Sequence, residues 1–312
     1  MTKIDSRKEP VLVSACVITY NSSRTVVETL DSIYAQTYPR LELIISDDCS
    51  TDDTVEVCRK WLETHKDRFE DTSIIQMEKN GGIAANLNFV IRATKGEWLK
   101  SIAGDDLLLP NCISDNMEFV SRNENDGVIF SNVREFYVDA EGKRVLTDNY
   151  QPAESAKKYY AMAAEEQYNR ILSLCFTPSN SVFWKRSVAV THPFPEQYPY
   201  NEDDPHWLHL TKEGIKLSYF DKTTVLYRIG DSISKGRDNS FIGEKYHYSR
   251  LAYLYADRYF ELLKRDPGRA RQLQKEFFLG DVAIVLLKNR RNFFTRAVLF
   301  FFKLLVGTRK IS

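Results

Sequence analysis

Leu41-Glu42-Leu43-Ile44-Ile45-Ser46-Asp47-Asp48 is an apolar run that ends on two adjacent carboxylates. The stretch Glu97-Trp98-Leu99-Lys100-Ser101-Ile102-Ala103-Gly104-Asp105-Asp106 repeats the form. Each reads as a strand with acids just past its end. Strand ends in open α/β sheets are where ligands bind. A third acidic group, Glu202-Asp203-Asp204, follows later in the chain.

Working outward, the first half alternates strand and helix. Strands read over Val11–Ile18, Leu41–Ser46, Ser73–Met77 and Glu97–Ile102. Helices read over Ser23–Gln36, from about Asp53 to His65, and over Ala84–Ala93, with Asn21 or Ser22 capping the first and Ser50 or Thr51 the second. This spacing predicts a mainly parallel sheet flanked by helices. Further on, a helix is expected over Leu109–Asn123 and another over Ser155–Leu174. Strands are expected at Gly127–Ser131, Arg134–Val138, Asn180–Trp184, Leu217–Phe220 and Val225–Arg228, and a short helix over Asp203–Lys212. Gly230–Ser240 reads as a loop, and from about Gly243 to Arg309 every signal is helical. The division is a polar lead (1–9), an α/β domain (10–240) and a C-terminal helical extension (241–312).

The 312 residues balance 43 basic against 43 acidic side chains, which removes the charge argument for a nucleic-acid binder. Cys16, Cys49, Cys58, Cys112 and Cys175 form no C-x-x-C pair and read as reduced packing residues. His206-x-x-His209 reads as packing or surface rather than a zinc site. The N-terminus carries no secretory apolar region, and no uninterrupted apolar run approaches the ~18 residues of a spanning helix.

The acidic groups have two readings each. Asp105-Asp106 is turn chemistry, or a pair of hard oxygen ligands for Mg²⁺ or Mn²⁺ that arrives with a diphosphate. Asp47-Asp48 caps a strand-to-helix turn, or accepts hydrogen bonds from a base or sugar. Glu202-Asp203-Asp204 favours a helix dipole, or supplies a general base to an attacking hydroxyl.

Their order decides between these readings. Val17-Ile18-Thr19-Tyr20-Asn21, Thr29–Tyr38, Ile44–Asp52, Asn80-Gly81-Gly82-Ile83-Ala84-Ala85-Asn86, Gly96–Pro110, Glu202-Asp203 with Trp207-Leu208, and Tyr227-Arg228 with Ser232-Ile233-Ser234 follow one another as in a known family. Over about residues 9–235 the chain resembles the family 2 glycosyltransferases of GT-A fold. Three departures stand out: Ala103 replaces the first aspartate of the D-x-D element, Ile229-Gly230 follows Tyr227-Arg228 where a histidine is frequent, and Cys49 stands at a usual glycine.

The resemblance implies an inverting transferase of the Rossmann-like GT-A type, acting on a nucleotide-diphosphate sugar, with a UDP-sugar first in line. Thr19, Tyr20, Asn21 and Asn86 would line the nucleotide site. Asp48 would meet the base and Asp105 the ribose. Asp106, assisted by Asp105, would hold Mg²⁺ or Mn²⁺, and Asp203 would be the base. The acceptor would be a glycan or lipid-linked glycan in cell-surface polysaccharide synthesis, with the protein cytoplasmic and peripheral on the inner membrane. A non-catalytic sugar-nucleotide-binding relative is the alternative that Ala103 keeps open. A nucleotidyltransferase would want a glycine-rich phosphate loop where Tyr20-Asn21-Ser22-Ser23-Arg24 stands.

The C-terminal stretch holds Lys288, Arg290, Arg291, Arg296, Lys303, Arg309 and Lys310 with no acid, around the apolar Ala297–Phe302. Residues 290–306 read as an interfacial helix on an anionic membrane surface, or as a helix docked on protein. Lys235 and Arg237 place positive charge in the 230–240 loop, which reads as a closing flap or an exposed linker.

Overall fold

The computed structural model describes residues 9–123, 127–173, 180–198, 200–230, 244–288, 298 and 300. The chain opens with β1 (Val13–Thr19), α1 (Val26–Tyr34), β2 (Leu41–Asp47), α2 (Thr54–His65), β3 (Asp71–Gln76), α3 (Ile83–Ala93) and β4 (Trp98–Ala103). β1 pairs in parallel with β2 and β4, and β2 with β3. Alternation along the strands feeds two cores. Ala15 and Val17 join Leu30, Ile33 and Trp61 on one face, while Cys16 and Ile44 join Leu87, Val90 and Ile91 on the other. Burial on both faces is why these strands read as continuous apolar runs.

Then follow β5 (Leu107–Leu108), α4 (Cys112–Arg122), β6 (Val128–Val138), β7 (Arg144–Gln151), α5 (Glu154–Lys157), α6 (Ala164–Leu172), β8 (Phe183–Lys185), α7 (Arg186–Thr191), α8 (Asp203–Lys212) and β9 (Leu217–Arg228). Among the described residues the strand order is β3-β2-β1-β4-β8-β6-β9-β5, with β7 on β6. β8 runs antiparallel to β4 and β6. On one side, β6 pairs first with β8 through Val128 and Ile129, and further along with β7.

The chain closes with α9 (Glu244–Tyr253), α10 (Tyr259–Arg265) and α11 (Pro267–Asp281). They share the core of the sheet: Tyr253, Leu254, Leu262, Ala270 and Leu273 pack in one cluster with Trp184, Trp207 and Leu208. The buried Arg258 guanidinium donates to the Leu172 and Ile171 carbonyls, closing the C-terminal end of α6. Among the described residues no helix is long and apolar enough to cross a membrane.

Several elements depart from the sequence reading. β7 was not expected: its Arg-Val-Leu-Thr-Asp-Asn-Tyr-Gln sequence is half-exposed, so burial imposes no apolar pattern. The two strands read over 127–138 are one, as are the two over 217–228. The helix read over 155–174 is broken at Met162–Ala163. β5 and α7 are too short to leave a period. The expected caps of α1 and α2 hold neighbouring loops instead, and neither helix has a side-chain cap hydrogen bond. Residues 231–243, including Lys235 and Arg237, lie outside the described residues, as does nearly all of 290–306 and Cys175. The four described cysteines are free thiols, and Cys16, Cys58 and Cys112 are buried.

Candidate active site

The C-terminal ends of β1, β2 and β4 lie side by side, Thr19 opposite Asp47 and Ile18 opposite Ala103. At β2, Asp47 is wholly buried. Its Oδ1 accepts from Thr19 Oγ1 at 2.9 Å and Ser50 Oγ at 2.6 Å, and its Oδ2 from Ser50 N at 2.8 Å. Asp47 therefore pins the turn after β2 to the end of β1. That turn needs Cys49 at φ +60°, in the left-handed region that favours glycine.

Asp48, also buried, is held from the other side. Its Oδ1 accepts from Gly81 N at 2.7 Å and its Oδ2 from Gly82 N at 2.9 Å. Burial raises its pKa, and the two amides pull it down. Each oxygen keeps a lone pair for a further donor. Gly82, at φ +84°, turns the chain so that both amides reach it.

Asn21, also left-handed at φ +51°, braces loops: its Oδ1 accepts from Thr51 N at 2.8 Å and its N–H donates to Ser50 Oγ at 2.8 Å. Asn86 is buried, with its amide on the Ser46 hydroxyl and on the Ser46 and Thr19 carbonyls. Tyr20 stands exposed at the rim. Of the residues read as nucleotide ligands, Tyr20 and Asp105 present free groups, Asp48 keeps spare lone pairs beside its two glycine amides, and the side chains of Thr19, Asn21 and Asn86 hold the strand ends in place.

At β4, the exposed Asp105 and the buried Asp106 follow Ala103-Gly104. Asp106 Oδ1 accepts the Arg228 amide at 2.8 Å, and Arg228 Nε donates to the Asp105 carbonyl at 2.8 Å. The Arg228 guanidinium pairs with Glu28 at 3.1 Å and lies 4.7 Å from the Phe136 ring centre. Arg144 also reaches Glu28, at 3.0 Å, and Phe136, at 5.4 Å. Burial raises Asp106 well above the usual carboxylate range and Asp105 adds repulsion, while Arg228 and Lys100 oppose them. Lys100 is wholly buried, and its ammonium donates to the Val182 carbonyl at 3.2 Å.

The third acidic group begins α8. Asp203 has no hydrogen-bond or ion-pair partner among the described residues, and no side chain caps the helix. Burial, then Glu202 and Asp204, raises it well above the carboxylate range. Glu202 is pushed up to about 7, by burial and then Asp204. Tyr227 connects the two acidic centres: burial and the charges of Asp106, Asp105, Glu135 and Asp203 push its phenol up to about 12. His206, by contrast, stacks on Phe194 at 4.0 Å inside the aromatic core, and burial takes it down to about 3.

Sequence reasoning passed over three residues here. Lys100 had a signal, a lysine inside an apolar strand. Tyr227 and Arg228 were noted only as a domain end, and their contacts with the acids depend on β9 pairing with β6 and β5.

No group of three or more His, Cys, Asp or Glu side chains disposed to hold a metal occurs among the described residues. Two carboxylates, one with its Oδ2 outside the Arg228 hydrogen bond, form an incomplete hard-oxygen set. Such a set fits a divalent cation whose other ligands are phosphate oxygens and water.

The comparisons with known proteins identify the family and the fold. Residues 14–189 match the model of the family described as Glycosyl transferase family 2. The UDP-Glc:alpha-D-GlcNAc-diphosphoundecaprenol beta-1,3-glucosyltransferase WfaP of Escherichia coli is 28% identical over 220 residues, 70% of this chain and 77% of that protein. The putative glycosyltransferase EpsE of Bacillus subtilis is 30% identical over 146 residues, 46% of this chain and 51% of that one. Among solved structures, S. aureus TarS 1-349 in complex with UDP-GlcNAc superposes with a TM-score of 0.56 at 19% identity, covering 87% of this chain and 72% of that one. The mannosyltransferase PcManGT from Pyrobaculum calidifontis, in complex with GDP-Man and Mn²⁺, gives 0.54 at 18%, covering 95% and 81%. The sheet is the GT-A fold of these neighbours, and the chain belongs to glycosyl transferase family 2.

Proposed function

We propose that the protein is an inverting glycosyltransferase that moves a sugar from a nucleotide-diphosphate sugar to a hydroxyl of a glycan or lipid-linked glycan. One observation carries the reading: the charges of two acidic centres, one at the end of β4 and one opening α8, both raise the buried Tyr227 phenol. The first suits the diphosphate with its cation and the second suits the acceptor hydroxyl.

In this reading Asp48 accepts an N–H from the base, its orientation fixed by the Gly81 and Gly82 amides. Tyr20 borders the base at the rim, and Thr19, Asn21 and Asn86 set the strand ends against it. Asp105 accepts from the ribose. Asp106 and Asp105 would hold Mg²⁺ or Mn²⁺, which when bound neutralises charge on the departing diphosphate. Asp203 removes the acceptor proton as the oxygen attacks the anomeric carbon from the face opposite the nucleotide. One base suffices for such single displacement. The unpaired, raised carboxylate of Asp203 supports its assignment, because raising its pKa makes it a stronger base toward the acceptor hydroxyl.

The names of WfaP and of the TarS complexes support a UDP-sugar donor and, from WfaP, an acceptor on a lipid diphosphate. A lipid acceptor suits residues 290–306 as an interfacial segment on the cytoplasmic face of a membrane. Calorimetry against UDP, GDP, dTDP and CMP, with and without Mn²⁺, tests the donor assignment. Metal-dependent binding of one nucleoside diphosphate, lost in Asp106→Ala, is the expected result. Binding of none rejects the reading.

A further inference from the structure

The sheet edge at β6 and β7 holds an open polar cavity of ≈ 680 Å³, bordered by Asn132, Glu135, Asp148, Asn149, Tyr150 and Lys157. Its size is that of a small-molecule site. We propose that this cavity is the acceptor subsite, and that it takes uncharged sugar units of the glycan. The proposal rests on the glycosyl-transfer reading above.

The cavity is continuous with the reacting centre. Glu135 on β6 is the register partner of Tyr227 on β9, so the two side chains share a face of the sheet. Tyr227 in turn feels the charges of Asp203 and Asp106. A row across β9, β6 and β7 therefore leads from the reacting centre into the cavity.

β7 bulges opposite Glu135. Arg134 pairs with Tyr150, but Phe136 pairs with Leu146, so Thr147, Asp148 and Asn149 all stand opposite Glu135. This bulge is pinned. Thr147 Oγ1 donates to the Glu135 carbonyl at 3.1 Å, Asn149 N donates to Thr147 Oγ1 at 3.1 Å, and Arg134 Nε donates to the Thr147 carbonyl at 2.7 Å. Bulges at sheet edges re-aim side chains and recur beside active sites.

The lining groups suit sugar hydroxyls. Asn149 Nδ2 donates to Glu135 Oε2 at 3.1 Å, which fixes a planar amide against a planar carboxylate. Asn149 Oδ1 and the remaining Glu135 lone pairs can meet neighbouring hydroxyls of a pyranose. Asp148 is fully exposed, and Tyr150 is half-exposed with the Arg134 guanidinium 5.3 Å from its ring centre. Asn132 and Lys157 are already engaged with Asp221, so they form the floor. The border carries Glu135, Asp148 and Glu154 against Lys157, whose ammonium pairs with Glu154 at 2.8 Å, and Arg134, whose guanidinium pairs with Asp148 at 3.5 Å, so one negative charge is left over. Such a border repels uronate and phosphate and admits neutral or N-acetylated sugars.

The test is a glycan array of neutral, N-acetylated, uronate-bearing and phosphate-bearing bacterial oligosaccharides, probed with labelled full-chain protein in UDP and Mn²⁺. Wild type should bind neutral or N-acetylated members. Asn149→Ala and Asp148→Ala should each weaken that binding by about tenfold or more, the loss of one hydrogen bond to a charged or amide partner. Asp148 is open to solvent, so its removal leaves folding intact. Binding of no glycan, wild-type binding by both variants, or a preference for acidic glycans overturns the proposal. Calorimetric UDP binding on the same preparations separates the cases, since failure of the donor reading removes nucleotide binding from wild type itself.

Discussion

The backbone amide of Arg228 donates to Oδ1 of Asp106 at 2.8 Å, so the last residue of β9 orients the carboxylate that follows β4. Arg228→Ala keeps this amide. It loses the bond to the Asp105 carbonyl, the pair with Glu28 and the stack on Phe136. Arg144 still holds Glu28, which limits the loss to about 1–3 kcal/mol, the range for a hydrogen bond made by a charged group. Urea unfolding should show a lower midpoint, and Mn²⁺-dependent nucleotide binding should weaken. An unchanged midpoint together with unchanged affinity would remove Arg228 from this role.

Asp203→Asn should keep donor binding and reduce transfer by about 10²–10⁴-fold, the usual loss of a positioned base. Because Asp203 and Glu202 both sit above the carboxylate range, the active, deprotonated state appears only as pH rises through their titration. The rate should therefore fall along an acid limb displaced above the ordinary carboxylate range, and that limb belongs to the pair. Glu202→Gln removes the repulsion next to Asp203 and should move this acid limb to lower pH. A pH–rate profile with the same limb in both proteins would contradict the coupling.

Asp48→Asn replaces one acceptor oxygen by an NH₂ group, which cannot receive the second glycine amide. The expected cost is about 1–3 kcal/mol in stability from the unpaired buried donor. Nucleotide affinity should fall as well. Calorimetry and chemical denaturation on the same variant read both effects, and a nucleotide affinity equal to wild type would take Asp48 out of base recognition.

Cys49 is a non-glycine residue at φ +60°. A β-branched side chain there meets left-handed strain of about 1–2 kcal/mol. Cys49→Val should lower the urea midpoint. Cys49→Gly should not, because relief of strain offsets the added freedom of the unfolded chain. The reverse ranking would show that Cys49 Sγ packing outweighs the backbone.

Gly96 lies at the other end of the sheet. A Cβ there would stand 2.6 Å from Ser14 Oγ, 2.7 Å from Ser14 N and 2.9 Å from the Leu12 carbonyl. The same corner is held by the buried Glu42, whose Oε1 accepts Lys95 N at 2.6 Å and Gly96 N at 2.9 Å. Gly96→Ala should cost about 1–3 kcal/mol, the range for overpacking. Its nucleotide affinity, measured below the unfolding transition, should match wild type.

The first half of the fold was readable because β1, β2 and β4 are buried on both faces and α1–α3 keep a helical period. Asp48, Asp105, Asp106 and Asp203 were visible as acids at element boundaries. Whether each carboxylate is free or engaged was not, because that depends on partners distant in sequence: Asp48 meets Gly81 and Gly82, and Asp106 meets Arg228. Asn21 and Asn86 have the residue types of ligands, but their side chains are engaged within the protein. β7 was invisible for a different reason. An edge strand with one neighbour and two wet faces is under no pressure to alternate, and its three-residue bulge breaks what periodicity it has.

β6 carries two structures on one strand. Its first residues pair with β8, which pairs in turn with β4, and its last residues pair with β7. The hairpin can thus lengthen, bulge or change side chains while β1, β2 and β4 keep their register. Such a chain could diverge in what it glycosylates while conserving what it glycosylates from.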